Sequence, residues 1–236
     1  MIDRILIQTT LQQWNIPCSP TQLDLLEHYS ALLIEWNAQM NLVASSTLAE
    51  LTRRHLLDSL AIATALPSAP ASLADVGSGA GLPGLPLAII WPASQVTLIE
   101  SIGKKSHFLR HVVATLPLPN VQVITDRAEA LGLSPQHRER YALVTARAVA
   151  NLATLAEFCL PLCAVGGTWL APKGPDVSAE VDDAALAIDL LGGAIEGVYD
   201  VIIPDEPTRA LIVVTKQRAT PADYPRAVGL PAKNPL

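Results

Sequence analysis

Residues 75–86 read DVGSGAGLPGLP and set one aspartate ahead of four glycines. Glycine lets backbone N–H groups approach a ligand closely, because no Cβ stands in the way. The segment from Gly79 to Gly84 also fits the G-x-G-x-x-G spacing of dinucleotide-binding loops. Glycines occur in plain turns as well, so the loop alone predicts only a candidate ligand site.

Acidic residues follow three predicted strands in succession, and they narrow the choice of ligand. Asp75 stands where a dinucleotide would bring its pyrophosphate, and a carboxylate there would repel it. It would instead attract the ammonium and sulfonium groups of S-adenosylmethionine (AdoMet). Glu100 ends the next strand and can accept hydrogen bonds from the ribose of either cofactor. Glu129 follows the third strand, where adenine commonly lies, so the three acids together favour an adenosine-containing cofactor.

The hydrophobic pattern after residue 66 alternates between strands and helices, which is the scaffold that these residues need. Strands are predicted near 72–76, 96–100, 121–125, 142–146, 166–172, 194–202 and 210–215. Helices are predicted near 82–91, 103–116, 126–131, 151–163 and 176–191. This alternation predicts an α/β fold with a mostly parallel seven-stranded sheet and helices on both faces. The last two strands are close in sequence, so we expect them to form an antiparallel pair at one edge.

Residues 1–66 follow a helical pattern instead, with helices predicted at 2–14, 20–39 and 47–66. The proline-containing segment LPSAPAS then interrupts the pattern. We therefore divide the chain into an N-terminal helical lobe, residues 1–66, and a ligand-binding domain, residues 67–236. The basic, proline-rich tail from Lys216 onward is expected to be extended and irregular.

Composition and charge exclude several classes of protein. The 236 residues carry a formal net charge of −6, but residues 101–150 hold seven Lys and Arg against three acids. An anionic partner should therefore meet the middle of the chain. The uncharged run 76–99 is interrupted by glycines and prolines, and the N-terminus does not resemble a secretory signal, so we expect a cytoplasmic protein. Three cysteines without zinc-like spacing indicate reduced thiols and no metal site.

Several segments together resemble the RsmG (GidB) family, from about Trp36 to the C-terminus. They are NLVASS, RHLLDSL, DVGSGAGLPGLPLAI, SIGKKSHFLR, RAVANL and YPRAVGLPAKNPL. Members of this family are bacterial AdoMet-dependent methyltransferases that modify N7 of one guanine in small-subunit (16S) ribosomal RNA. The resemblance implies a Rossmann-like methyltransferase fold, AdoMet as cofactor, and ribosomal RNA or the small subunit as partner. We expect a monomer with no protein partner and no membrane association.

The resemblance also implies which residues bind the cofactor. The implied AdoMet-binding residues are Gly77, Gly79, Gly81, Leu82, Glu100, Ala128, Glu129 and Arg147. Glu100 stands where the family often has Asp. Ser78 and Ala80 stand where Thr and Pro are common in the family.

No catalytic base is needed for the implied reaction, because guanine N7 already has a free lone pair in the plane of its ring. The sequence agrees, since no Asn/Asp-Pro-Pro-aromatic motif follows the fourth strand and no cysteine lies at a strand end. Arg147 follows that strand and could hold a target phosphate or guanine O6. Lys173 could bind a phosphate or remain in a solvated turn.

Other charged residues have two possible roles. A basic collar that contacts phosphate could include Arg53, Arg54, His55, Lys104, Lys105, His107, Arg110, His111, Arg218, Arg226 and Lys233. Solvated helix faces are the alternative. His55 and Asp58 are three residues apart on a predicted helix, where they would face each other and help to dock the helical lobe.

Three other functions stay open from the sequence. The chain could be an AdoMet methyltransferase with another RNA target, or an NAD-binding oxidoreductase that uses the glycine loop. It could also be a non-catalytic module that senses adenosine or binds RNA.

Overall fold

A seven-stranded sheet forms the centre of the computed structural model, which describes residues 2–236. The strands are β1 (Ser72–Val76), β2 (Gln95–Ile99), β3 (Val121–Ile124), β4 (Tyr141–Thr145), β5 (Cys163–Lys173), β6 (Gly193–Val201) and β7 (Arg209–Lys216). Their spatial order is β3-β2-β1-β4-β5-β7-β6. Strands β1 to β5 are parallel, and β7 runs antiparallel to both β5 and β6. The predicted α/β fold and the antiparallel edge pair are confirmed.

Helices surround the sheet in the order that the sequence predicted. They are α1 (Arg4–Gln13), α2 (Pro20–Asn37), α3 (Ser45–Leu48), α4 (Asp58–Leu60), α5 (Gly84–Ile90), α6 (Gly103–Thr115), α7 (Ala128–Leu133), α8 (Leu152–Cys159), α9 (Ser178–Leu190) and α10 (Leu230–Lys233). The helix predicted at 47–66 is divided into several pieces. A π-helical segment, Thr52–Leu57, runs into α4, and a 3-10 turn, Ala61–Ala65, follows it.

Hydrophobic residues form one core on each face of the sheet. On one face, Ile7, Leu26 and Leu33 of the N-terminal helices share a core with Leu73 and Leu98 of the sheet. Helices α7, α8 and α9 cover the other face. The central strands are buried on both faces, which explains their nearly continuous apolar sequences. The N-terminal helices therefore pack directly on the sheet, and the division at residue 66 stays a prediction.

The C-terminal tail is mostly irregular, as predicted, but it contains α10 and packs against the domain rather than extending from it. The side chain of Lys216 is fully buried, and its ammonium donates to the carbonyls of Leu160 and Leu191 at 2.7 and 3.0 Å. Arg226 forms an ion pair with the buried carboxylate of Glu157 at 2.6 Å. These contacts hold the tail against α8 and the end of α9.

None of the helices within residues 2–236 is long and apolar enough to cross a membrane.

Candidate active site

The glycine loop connects β1 to α5 at the carboxyl edge of the sheet. Gly77, Gly79 and Gly81 have φ angles of +71°, +56° and +89°, in the left-handed region that favours glycine. A Cβ on Gly77 would lie 2.6 Å from Cγ2 of Val149. Tyr29 of α2 donates its hydroxyl to the carbonyl of Ala80 at 2.8 Å, so an N-terminal helix holds the loop from below.

Asp75 lies beneath the loop and is fully buried. Its Oδ2 accepts a hydrogen bond from Gly84 N at 3.0 Å, at the start of α5, while its Oδ1 has no partner within residues 2–236. Burial raises the pKa of Asp75 to about 7. This position corrects the role inferred from sequence, because the carboxylate supports the loop from inside instead of facing a cationic ligand.

Glu100 connects the glycine loop to the start of α6. Its Oε2 accepts from Gly79 N at 2.9 Å, and its Oε1 accepts from Ile102 N at 2.7 Å. Each carboxylate oxygen can accept about two hydrogen bonds. The side chain therefore holds two backbone segments and still has acceptor capacity for a ligand hydroxyl.

A cleft of about 60 Å³, here called the small cleft, lies between the ends of β1, β2 and β3. Its lining includes Gly77, Ser101, Ala128, Glu129 and Val149. Glu129 is nearly buried, and its Oε1 accepts from Gly229 N of the tail at 2.8 Å. The tail thus fixes the carboxylate at this strand end, a contact that the sequence did not reveal.

A larger cleft of about 320 Å³, here called the loop cleft, lies over the glycine loop. It is lined by Leu42, Val43, Ala44, Thr47, His55, Gly77, Ser78, Gly79, Ala80, Leu82, Lys105, Arg147 and Ala148. Gly77 lines both this cleft and the small cleft. Gly81 and Glu100 line neither, and a Cβ on Gly81 would lie 2.2 Å from Cδ1 of Leu85, so this glycine permits the packing of α5.

A third cleft of about 340 Å³, here called the cationic cleft, adjoins the loop cleft. It is lined by Arg54, His55, Asp58, Arg147, Ala148, Pro172, Lys173, Gly174 and Arg209. His55, Arg147 and Ala148 line both clefts. Ala148 has a φ of +56°, an uncommon value for alanine that shapes the turn after β4.

Asp58 organises the cationic cleft through two arginines from distant parts of the chain. Its Oδ2 lies 2.6 Å from Nη1 of Arg147, and its Oδ1 lies 3.2 Å from Nε of Arg209. All three side chains are largely buried. This geometry corrects the predicted direct pair of His55 and Asp58, because each of these residues contacts Arg147 instead.

His55 lies between the loop cleft and the cationic cleft. Its Nδ1 lies 3.4 Å from Nη2 of Arg147, and its Nε2 lies 2.8 Å from the hydroxyl of Thr47. Burial lowers the pKa of His55 to about 4, and the charge of Arg147 lowers it further. The imidazole is therefore neutral at physiological pH.

Four of the eleven residues of the predicted basic collar form internal ion pairs. Arg53 pairs with Asp205 at 3.1 Å, and Arg54 pairs with Glu206 at 3.1 Å. In the tail, Arg218 pairs with Asp189 and Arg226 pairs with Glu157, each at 2.6 Å. An acidic partner weakens the case for phosphate contact at these four arginines, and the collar stays a prediction.

Lys173 is not in a solvated turn, and its predicted phosphate contact stays a prediction because the residue lines the cationic cleft. It donates to Glu180 at 2.7 Å and to the carbonyl of Ala150 at 3.0 Å, and so braces the segment after β4. Within residues 2–236, no group of three or more His, Cys, Asp or Glu side chains could hold a metal ion.

The structure brings most of the predicted cofactor residues to the same edge of the sheet, but their contacts with AdoMet stay predictions. Gly77, Gly79, Leu82 and Arg147 line the loop cleft, and Ala128 and Glu129 line the small cleft. Sequence reasoning missed Tyr29, Val149 and Arg209, whose roles depend on partners far away in the chain.

Two solved structures with similar folds are methyltransferases. A predicted O-methyltransferase from Agrobacterium tumefaciens superimposes with a TM-score of 0.53 at 21% identity, covering 70% of this chain and 83% of that one. The antibiotic-resistance methyltransferase Kmr gives a TM-score of 0.52 at 16% identity, covering 70% and 94%. These similarities establish a Rossmann-like methyltransferase fold.

Sequence relatives are much closer. Proteins named ribosomal RNA small subunit methyltransferase G are 51% identical in Roseiflexus castenholzii, covering 94% of this chain and 95% of the relative, and 47% identical in Chloroflexus aggregans, covering 99% and 98%. The Bacillus cytotoxicus relative of the same name is 41% identical and covers 97% of each chain. The family model described as "GidB: rRNA small subunit methyltransferase G" matches residues 22–200. The chain therefore belongs to the GidB family of small-subunit rRNA methyltransferases.

Proposed function

We propose that this protein transfers a methyl group from AdoMet to N7 of one guanine in bacterial small-subunit (16S) ribosomal RNA. The observation that carries the proposal is the junction of the loop cleft and the cationic cleft at Arg147. A cofactor over the glycines and an anionic nucleotide in the cationic cleft would meet at this side chain. Family membership supports ribosomal RNA as the substrate and the cytoplasm as the place of action.

The residues of the loop cleft and the small cleft fit AdoMet, and Glu100, which lines neither cleft, is hydrogen-bonded to the glycine loop. Because the N–H groups of Gly77, Gly79 and Leu82 already donate within the chain, their carbonyls would hold the ammonium of the methionine end, and Arg147 would border it. Gly81 would act indirectly, by letting α5 pack against the loop. Glu100 would accept from the ribose, while Ala128 and Glu129 would lie beside the adenine. In contrast, the first N–H group of α5 already donates to Asp75, so the helix start does not offer a pyrophosphate the free donors that NAD needs.

When bound, AdoMet supplies an electrophilic methyl group on a sulfonium. The chain has to position the acceptor for in-line attack, because the N7 lone pair needs no deprotonation. Such positioning can contribute roughly 7–11 kcal/mol to lowering the barrier. Arg147 would hold O6 or a phosphate of the acceptor, and Asp58 would keep the guanidinium in place.

The absence of a required base has a kinetic consequence. The single-turnover rate should lack the steep acid limb that a base with a pKa near 7 would impose. His55, which lines both clefts, is already neutral over this range, because its pKa is lowered to about 4. A rate that falls tenfold per pH unit below pH 7 at saturating RNA would contradict a mechanism without a base.

The position of the methyl group tests the proposed function directly. RNA methylated with methyl-tritiated AdoMet should carry its label at one guanine of the small subunit. N7-methylguanine carries a fixed positive charge, so borohydride followed by aniline should cut the strand there. Label on an amine, a ribose oxygen or a pyrimidine carbon would overturn the N7 assignment.

Two controls separate the remaining functions. Calorimetry should detect AdoMet binding and no NAD binding, and the opposite result would favour the oxidoreductase. Arg147→Ala should abolish labelling, whereas Arg218→Ala, at an exposed pair far from β4 in sequence, should preserve it. Assays on stripped RNA and on assembled small subunits would show which of the two accepts the methyl group.

A further inference from the structure

Positive charge is distributed unevenly once internal ion pairs are taken into account. Of the 16 Lys and Arg residues, nine form ion pairs within the described chain, residues 2–236. The seven others are Lys104, Lys105, Arg110, Arg127, Arg138, Arg140 and Lys233. Three of these seven belong to α6, and Arg127 lies just after β3 beside it. The helix therefore holds the densest group of cations that lack an acidic partner.

The exposed side of α6 combines these cations with aromatic rings. We call Trp36, Lys104, His107, Arg110 and His111 the α6 face. Lys104, His107 and Arg110 are exposed, and α6 contains no Asp or Glu. The Trp36 ring of α2 lies 5.6 Å from the His107 ring and 4.9 Å from the His111 ring, centroid to centroid. Such a surface offers cations to phosphates and ring faces to bases.

The α6 face continues into the proposed active site. Lys105 lies in the first turn of α6 and lines the loop cleft together with Gly79 and Arg147. A strand of RNA whose target nucleotide entered the clefts could therefore follow the helix away from them. The guanidinium of Arg110 contacts the hydroxyl of Thr125, which directly follows β3. This contact holds the guanidinium beside the carboxyl end of that strand.

Acidic groups near the α6 face are few. Asp126 is exposed next to Arg127, and Glu35 is exposed next to Trp36. Segment 176–208, in contrast, contains nine Asp and Glu residues and no Lys or Arg, and five of these acids form no ion pair within residues 2–236. An RNA backbone would be repelled by that segment and attracted to α6, so the charges select one orientation.

We propose that the α6 face docks the phosphate backbone of the ribosomal RNA that flanks the target nucleotide. This inference rests on the proposed function, and it assigns RNA contact to α6 rather than to the ion-paired arginines. Each phosphate contact that is lost should reduce the slope of log affinity against log salt by about 0.7–0.9.

A double variant, Lys104→Gln with Arg110→Gln, tests the docking surface. Neither residue lines the loop cleft or the cationic cleft, so AdoMet affinity should stay unchanged. The matched control is Arg4→Gln with Arg140→Gln, which removes two cations that lie outside the predicted collar and line none of the three clefts. Arg140 lies just before β4, at the amino ends of the parallel strands, whereas the clefts lie at their carboxyl ends.

Binding is measured by fluorescence anisotropy on labelled small-subunit RNA, and on labelled small subunits, between about 50 and 200 mM salt. The α6 double variant should bind about five- to tenfold more weakly at low salt, and its slope should fall by about 1.4–1.8. The control should retain the slope of the wild type. Methylation at saturating RNA should be nearly normal in both variants.

The outcomes separate the two proposals. The wild-type chain could methylate small-subunit RNA while the α6 double variant keeps the wild-type RNA affinity and salt slope. That result would overturn the docking surface and leave the proposed function standing. Equal losses in the α6 variant and the control would also overturn it, because the effect would then reflect net charge. A wild-type chain that neither binds nor methylates this RNA would overturn the proposed function.

Discussion

The loop cleft and the cationic cleft meet at Arg147, yet different kinds of residues line them. Five of the thirteen residues that line the loop cleft belong to the glycine loop, whose course depends on the left-handed φ values of Gly77, Gly79 and Gly81. The cationic cleft is lined by charged side chains from four separate segments, and Asp58 joins its own segment to those of Arg147 and Arg209. The first cleft should therefore be sensitive to added Cβ atoms, and the second to the loss of a single carboxylate.

The largest expected effect concerns the buried carboxylate beneath the loop. Burial raises the pKa of Asp75 to about 7, above the value of about 3.9 in an unfolded chain. Between these values the native state binds a proton that the unfolded state lacks, so this group lowers stability as pH rises from about 4 to 7. The full effect is at most about 4 kcal/mol.

Asp75→Asn should remove this contribution and keep an acceptor for Gly84 N. Urea unfolding across that pH range measures this contribution as the difference in unfolding free energy between the variant and the wild type. The difference is needed because His55, whose pKa is lowered, contributes in the opposite direction between about pH 4 and 6.5. Asp126→Asn, an exposed acid, serves as the control. Parallel stability curves for Asp75→Asn and wild type would show that Asp75 is charged when folded.

The next effect breaks the cationic cleft. Asp58→Ala would leave Arg147 and Arg209 facing each other without their shared carboxylate, which should cost about 3 kcal/mol of unfolding free energy. Methyl transfer should fall as well, while AdoMet affinity changes little. Asp189→Ala, which removes an exposed acid paired with Arg218, is the matched control and should be nearly neutral. Equal stability of the two variants would refute the organising role of Asp58.

This network also changes the expectation for Arg147 itself. Residues just after a strand are commonly exposed, and removing an exposed side chain usually costs little stability. The structure shows instead a largely buried guanidinium that connects the N-terminal helices to the end of β4. Arg147→Ala should therefore lower both stability and methyl transfer.

A smaller effect is expected from filling the loop. Gly77→Val would require an unfavourable φ and would bring its Cβ to within 2.6 Å of the Val149 side chain. AdoMet affinity should fall at least tenfold, or about 1.4 kcal/mol, while the fold survives. Gly174→Ala, in the cationic cleft, has open space around its Cβ and should leave AdoMet affinity unchanged. Calorimetry that found unchanged affinity for Gly77→Val would remove the loop from the cofactor site.

The smallest effect is expected from an exposed ion pair that lies outside both clefts. Arg218→Gln breaks an ion pair with Asp189 in which both side chains are well exposed. Such pairs contribute little in water, so unfolding free energy should change by less than about 0.5 kcal/mol. RNA affinity should also stay within error. A loss of RNA affinity comparable to that of the α6 double variant would return this arginine to the predicted collar.

The sequence by itself determined the scaffold and the main-chain part of the site. Strands and helices follow local hydrophobic periodicity, and the glycine loop is a contiguous segment whose composition requires an unusual backbone. Because parallel strands end at one edge, Glu100 and Glu129 could be assigned to the same side of the sheet as the loop. These inferences depend on neighbouring residues and chain order, which a sequence contains.

Only the tertiary structure decided which charges are free and which are paired. Asp58 and Arg147 are 89 residues apart in sequence, and Arg53 and Asp205 are 152 apart. Such pairs depend on which helix packs beside which strand end, and no local spacing encodes that arrangement. The same reason explains why Asp75 could be located at a strand end but not known to be buried, since burial depends on what covers the side chain.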